Sequence, residues 1–210
     1  MSDAPAYRRA VALAFTGASG APYGLRLLQA LLASGERVHL MLSRPAQVVI
    51  GTETDLSLPG RPAEIARYLA DRYGAEPDRL RVYGPEEWTS PLASGSATAR
   101  AMVVCPCSMG TLASIAQGLA RTLIERAADV MLKERRPLVL VPRETPFSTI
   151  HLENMLRLSR AGAVILAANP AFYHRPQTVD ELVDYVVARV LDHLGIEHPL
   201  GPRWGADEPL

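Results

Sequence analysis

Several short stretches of this chain combine residue types that bind anions or move protons. The run Thr16-Gly-Ala-Ser-Gly-Ala-Pro-Tyr-Gly24 places glycines at 17, 20 and 24, just after an apolar segment. Glycines let a ligand approach the backbone, and the N–H groups opening the next helix attract an anion such as phosphate. The spacing is not GxGxxG, and no Gly-Lys-Ser/Thr phosphate loop occurs in the chain, so a plain tight turn is an equal alternative. Cys105-Pro-Cys-Ser-Met-Gly-Thr111 is a second turn of this type, with Ser108 at a helix N-cap position. Two such turns favour a shared phosphate or ring site. Pro142-Arg143-Glu144-Thr-Pro-Phe147 follows another apolar segment. Arg143 and Glu144 either neutralise each other there, or Arg143 binds a ligand while Glu144 handles a proton; their position favours the second.

Other residues are less telling by spacing. Arg126 and Lys133 share a helix face, but Asp129 lies three residues from one and four from the other, so local pairing is the simpler reading. Trp88 sits in a long loop, where a tryptophan either plugs a gap or stacks on a cation or ring. Tyr173 and Arg189 look like ordinary surface residues. Cys105 and Cys107 lack further ligands at metal spacing and read as small buried thiols. His39, His151, His174, His193 and His198 form no ligand pattern, so no metal site is expected.

The elements that must position these residues alternate. Apolar segments at Val11–Thr16, Val38–Leu42, Arg81–Tyr83, Ala101–Cys105, Leu138–Val141 and Ala163–Ala167 read as strands. Helices are expected over Pro22–Ser34, from Pro45 to a polar loop at Thr52–Pro59, and over Pro62–Tyr73, Ser108–Ala116, Thr122–Glu134, Ser148–Ala161 and Thr178–Leu194. A long loop, Gly84–Ala97, separates the third and fourth strands. This alternation predicts a three-layer α/β/α fold, flavodoxin-like or Rossmann-like, with a mostly parallel sheet. Ligands bind such sheets at the carboxyl ends of the strands. That rule selects residues 17–20, Ser43-Arg44, 106–111, 142–147 and 168–173. A single domain over 1–210 is expected, with a Pro-rich tail over 196–210 that contains Trp204.

Composition narrows the class. The 210 residues carry 22 Lys plus Arg against 22 Asp plus Glu, and zero net charge argues against a general nucleic-acid binder. Only Lys133 among the basic residues is lysine, which coding bias toward arginine explains. No apolar run approaches the roughly 18 residues of a membrane span. Arg8-Arg9 and the segment Ala10–Phe15 faintly imitate a secretory leader, but the apolar stretch is too short, and it reads as a strand of a cytoplasmic protein. Two cysteines one residue apart cannot staple distant parts of a chain.

The residues therefore point to a phosphate-bearing, nucleotide-like ligand without naming a reaction. Taken together, Thr-Gly-Ala-Ser-Gly-Ala-x-Tyr-Gly, Pro-Cys-Ser-Met-Gly-Thr, the block Leu123–Pro146 and His-Leu-Glu-Asn-Met resemble the UbiX-type flavin prenyltransferases, from about residue 10 to about residue 205. Arg44 stands where the family has lysine, which keeps the charge. The resemblance implies transfer of the dimethylallyl group from dimethylallyl monophosphate to N5 and C6 of reduced FMN, without a metal. It implies prenylated FMN as product, a UbiD-type decarboxylase as its recipient, and a homododecamer. It implies that Gly17, Ala18, Ser19, Ser43, Ser108, Met109, Gly110, Thr111 and Arg143 contact FMN, with Ser19 near the reacting N5. Tyr173, Arg189, Lys133, Arg126 and Ser94 are implied to bind the dimethylallyl phosphate. Glu144 is implied in proton transfer, and Trp88 in facing the allylic cation. For Arg126 and Lys133 the resemblance thus outweighs the pairing suggested by spacing.

Three competing readings are weaker. A flavin-dependent cysteine decarboxylase would carry an active-site histidine and a Pro-Ala-Ser-Ala-Asn-Thr segment, and no such segment is present. A short-chain dehydrogenase needs Tyr-x-x-x-Lys, but residue 129, four before the only lysine, is Asp. A non-catalytic flavoprotein would not need Ser19, Glu144, Tyr173 and Arg189 together.

Overall fold

A computed structural model describes residues 10–76 and 78–201. Arg8, Arg9 and the part of the tail that holds Trp204 lie outside the described residues. Six strands, β1 (Val11–Phe15), β2 (Val38–Leu42), β3 (Leu80–Tyr83), β4 (Ala101–Cys107), β5 (Leu138–Pro142) and β6 (Val164–Ile165), form one parallel sheet in the order β3-β2-β1-β4-β5-β6. Among the described residues, seven helices cover it: α1 (Ala21–Ala33), α2 (Arg44–Glu53), α3 (Pro62–Tyr73), α4 (Met109–Ala116), α5 (Leu123–Lys133), α6 (Thr149–Arg160) and α7 (Val179–Leu194). The expected three-layer α/β/α architecture is present, and its strand order is the Rossmann one. The order reverses between β1 and β4, so a crevice opens beyond their carboxyl ends.

The strands are apolar on both faces because both faces are covered. Val11, Leu13 and Phe15 pack with α1 and α7, whereas Ala12 and Ala14 pack with α4, α5 and α6. Alanines at 12 and 14 allow that second helical layer to approach closely. Gly24 has the same role on the first face: a Cβ there would lie 2.5 Å from the Cys105 carbonyl oxygen. Any side chain at 24 would push α1 off the sheet.

Three boundaries depart from expectation. Strand β4 runs on through Pro106 to Cys107, with a slip in its pairing to β5 between Val104 and Cys107. The slip sends Cys105 into the first core and Cys107 into the second, so the two thiols point to opposite faces. Both are free, and burial pushes the Cys107 thiol up to about 12. Helix α2 continues through Thr52 and Glu53, which were expected in a loop. Strand β6 shrinks to two residues at the sheet edge. No described helix is long and apolar enough to cross a membrane.

Candidate active site

The strand-to-helix turns converge at the carboxyl edge of the sheet. Ser43 caps α2 by accepting from the Ala46 N–H at 3.1 Å, and its own N–H donates to the Phe15 carbonyl at 3.0 Å, tying the β2 turn to the end of β1. Ser108 caps α4: its hydroxyl accepts from the Thr111 N–H at 3.3 Å and lies 3.1 Å from the Thr111 hydroxyl. A Cβ on Gly110 would meet nothing within 4 Å, so the first turn of α4 is open there. From β5, Arg143 reaches across and donates from Nε to the Ser19 carbonyl at 3.0 Å. That contact joins residues 124 apart in sequence and sets an arginine beside the Gly17–Gly20 turn. Gly17 is needed because a Cβ there would lie 2.5 Å from the Pro45 Cβ. Gly17, Ala18, Ser19, Ser43, Ser108, Met109, Gly110, Thr111 and Arg143 thus lie on turns at one sheet edge.

The anion expected at the start of α1 is supplied by the chain itself. Glu53 Oε2, at the end of α2, accepts from the Gly20 and Ala21 N–H groups, each at 2.8 Å. The helix dipole and two N–H donors favour a carboxylate at this point. Burial alone would raise the Glu53 pKa. Hydrogen bonds from Ser19, Gly20 and Ala21 and the charge of Arg143 outweigh it, so Glu53 lies below its usual 4.5. Sequence reasoning missed Glu53 because it stands 33 residues from Gly20 inside a stretch read as a polar loop. No local motif marks it.

The Gly84–Ala97 loop folds over α5 and is anchored by buried Ser90 and Leu92, with Pro91–Ala93 forming one 3-10 turn. Trp88 stands on it, partly exposed. Arg126 donates from Nε to the Ala93 carbonyl at 3.0 Å and pairs with Asp129 at 2.8 Å, as its spacing predicts. Lys133 instead pairs with Glu134 at 2.6 Å. The backbone at Gly95 lies so close that a Cβ would approach the Lys133 ammonium to 2.8 Å, which brings Ser94 and Ser96 to the same place. Arg126, Lys133 and Ser94 are therefore one group. Glu144 follows Arg143 on the turn after β5, and its carboxylate accepts the Thr145 N–H at 3.2 Å.

Tyr173 and Arg189 form another group. Burial and then Tyr185 raise the Tyr173 hydroxyl, against a smaller opposing pull from the nearby Arg189. Arg189 pairs with Asp192 at 2.6 Å. Helix α7 lies on the α1 face of the sheet, while α5 lies on the opposite face. Leu123 bonds Pro85 at the carboxyl edge, whereas Lys133 comes five residues before β5 and so sits near the amino edge. Within one chain the sheet separates Tyr173 and Arg189 from Arg126 and Lys133. Among the described residues, no cluster of three or more His, Cys, Asp or Glu side chains is placed to hold a metal ion.

Known proteins similar to this chain share its family and its fold. A family model described as Flavoprotein matches residues 3–191. The flavin prenyltransferase UbiX of Pseudomonas aeruginosa is 58% identical over 195 residues, covering 93% of each chain. That of Halalkalibacterium halodurans is 47% identical over 201 residues, covering 96% of each. A crystal structure of AnUbiX in complex with FMN and dimethylallyl pyrophosphate superposes with a TM-score of 0.84 at 44% identity, covering 96% of this chain and all of that one. A dodecameric FMN-dependent UbiX-like decarboxylase from Escherichia coli O157:H7 gives 0.82 at 47% identity, covering 93% and 99%. The cysteine decarboxylase TvaF, at 20% identity and a TM-score of 0.55, shares the fold alone. With Gly17 to Gly24, Ser108 to Thr111 and Arg143-Glu144 gathered at the switch point of the sheet, this chain belongs to the UbiX flavin prenyltransferase family.

Proposed function

We infer that the protein transfers the dimethylallyl group of dimethylallyl monophosphate to reduced FMN and releases phosphate. The observation that carries this reading is the Arg143–Ser19 contact, which brings the β1 and β5 turns to one edge beside the Ser108 cap. An open backbone at Gly110, the hydroxyls of Ser19, Ser43, Ser108 and Thr111 and the Arg143 guanidinium are donors suited to an isoalloxazine with a single phosphate. Bound reduced FMN supplies the nucleophilic N5 and C6.

The chain's residues manage charge and protons around them. As the allylic C–O bond breaks, the leaving phosphate gains negative charge, which Arg126, Lys133 and Arg189 stabilise and Tyr173 and Ser94 orient by hydrogen bonds. The allylic carbon becomes a delocalised cation, and Trp88 offers it an aromatic face. The two new bonds displace the hydrogens at N5 and C6; one of these protons is balanced by protonation of the prenyl double bond, and the other is carried to the phosphate. Glu144 is the carboxylate for that transfer, and Ser19 fixes the neighbourhood of N5.

One copy does not gather the phosphate ligands, so the working site draws on more than one. Leu152 and Leu156 share an exposed face of α6, and Ile150, Phe172 and Val179 are exposed as well, apolar surface that a subunit contact would cover. A homo-oligomer of the dodecameric kind described for the Escherichia coli relative accommodates both facts. The product serves a UbiD-type decarboxylase. Two free thiols suit a reducing compartment, the cytoplasm.

The test is phosphate release. Under anaerobic conditions, inorganic phosphate should appear from dimethylallyl monophosphate only when reduced FMN is present. Release that ignores FMN would mark a phosphatase. Carbon dioxide release from cysteine-ending peptides would mark a cysteine decarboxylase.

A further inference from the structure

We propose that Thr16 is a positioning residue for flavin binding, its hydroxyl fixing the separation of the Gly17–Gly20 and Ser108–Thr111 turns; this rests on the reading of those turns as the flavin site. Regular pairing of β1 with β4 ends at Ala14 and Val104, although β1 continues beside β2 to Phe15. Beyond Val104, β4 slips and passes through Pro106, which has a carbonyl but no N–H to offer a ladder. The two turns nevertheless begin here, at the switch point of the sheet.

Thr16 replaces the missing ladder with its side chain. Its hydroxyl donates to the Pro106 carbonyl at 2.7 Å and accepts from the Ser108 N–H at 2.8 Å. Its own N–H adds a longer bond to the Pro106 carbonyl at 3.3 Å. Both directions of one hydroxyl are used, and the residue is buried at 2% exposure, so no water replaces either bond. Thr16 therefore holds the residue before Gly17 against the residue that caps α4. Only a hydroxyl in this place both donates and accepts with such reach. Valine keeps the shape and loses the bonds; serine keeps the bonds and loses a methyl group.

The experiment compares Thr16→Val and Thr16→Ser in the full-length protein by fluorescence titration of FMN, with thermal midpoints measured alongside. T16V is expected to weaken FMN binding at least about tenfold, the loss of two buried hydrogen bonds, and to return the bound-flavin absorption band toward that of free FMN. T16S is expected to bind FMN within about threefold of the unaltered protein although it loses packing and melts lower. A merely structural residue would make affinity follow thermal stability in both variants. Equal losses in the two, or unaltered binding in T16V, would overturn the proposal. If T16V does not fold, Thr16→Cys against T16S sets the same contrast, because the two differ only in oxygen for sulfur. An unaltered protein that binds no FMN would instead overturn the flavin-site reading beneath it.

Discussion

Removing the Glu53 carboxylate should destabilise the protein in a pH-dependent way. Glu53→Ala deletes the acceptor of two backbone N–H groups, Gly20 and Ala21, each at 2.8 Å, at the N-terminus of α1. Hydrogen bonds to charged groups contribute about 1.5–3 kcal/mol each, and loss of an N-cap costs about 0.5–2 kcal/mol. Glu53 is only half-buried, so water recovers part of that, and the net loss is set at about 2 kcal/mol near pH 7. A chain of this size shifts its thermal midpoint by roughly 2–4 °C per kcal/mol, which gives about 4–8 °C at matched protein concentration. The sign follows from linkage. The folded pKa lies below the usual 4.5, so the contribution is complete above that value and fades as pH falls through the folded pKa. Wild-type and E53A melting curves should therefore converge in acid, with Glu53→Gln, which keeps an acceptor oxygen but no charge, in between. Circular-dichroism melts over a pH series measure this. A wild-type midpoint matched by E53A at neutral pH, or a gap that acid does not narrow, would refute the reasoning.

Other predictions concern the reaction and a buried histidine. Glu144→Gln should retain FMN but lose most prenyl transfer; wild-type rates would remove Glu144 from proton transfer. Arg189→Ala should weaken the apparent affinity for dimethylallyl phosphate and spare FMN binding, an assignment that unchanged affinity would contradict. If Lys133 and Arg189 serve one site from different copies, mixing two inactive variants, K133A and R189A, under subunit exchange should restore about a quarter of wild-type activity, because a quarter of the shared sites are then intact. No recovery would place both residues in one chain's site. Burial, then the charges of Arg81 and Arg37, lowers His39 from 6.5 to about 4, and its ring should titrate there by NMR. Because the unfolded chain takes up this proton first, stability should fall with pH between about 6.5 and about 4.

The layered sheet was legible because its strands are continuous apolar runs, and a run such as Val11–Phe15 has no other use than a doubly covered strand. The turn residues were legible for the same reason: they follow those runs at once. Glu53 was not, since its partner Gly20 is brought near by the fold and by no spacing. Thr16 was visible only as the end of a strand, because its role depends on a slip in β4 that an apolar pattern does not record. The pairing of Arg126 with Asp129 followed helix spacing, yet the same rule misassigned Lys133, which turns to its neighbour Glu134. Spacing could not show that α5 and α7 lie on opposite faces of the sheet.

The most direct measurement of the central claim is the mass of the flavin after reaction. Purified protein, dithionite-reduced FMN and dimethylallyl monophosphate are combined without oxygen, and the extracted flavin is analysed by mass spectrometry. Prenyl transfer predicts FMN heavier by one C5H8 unit, formed only when all three components are present. FMN recovered bound but unmodified would contradict it.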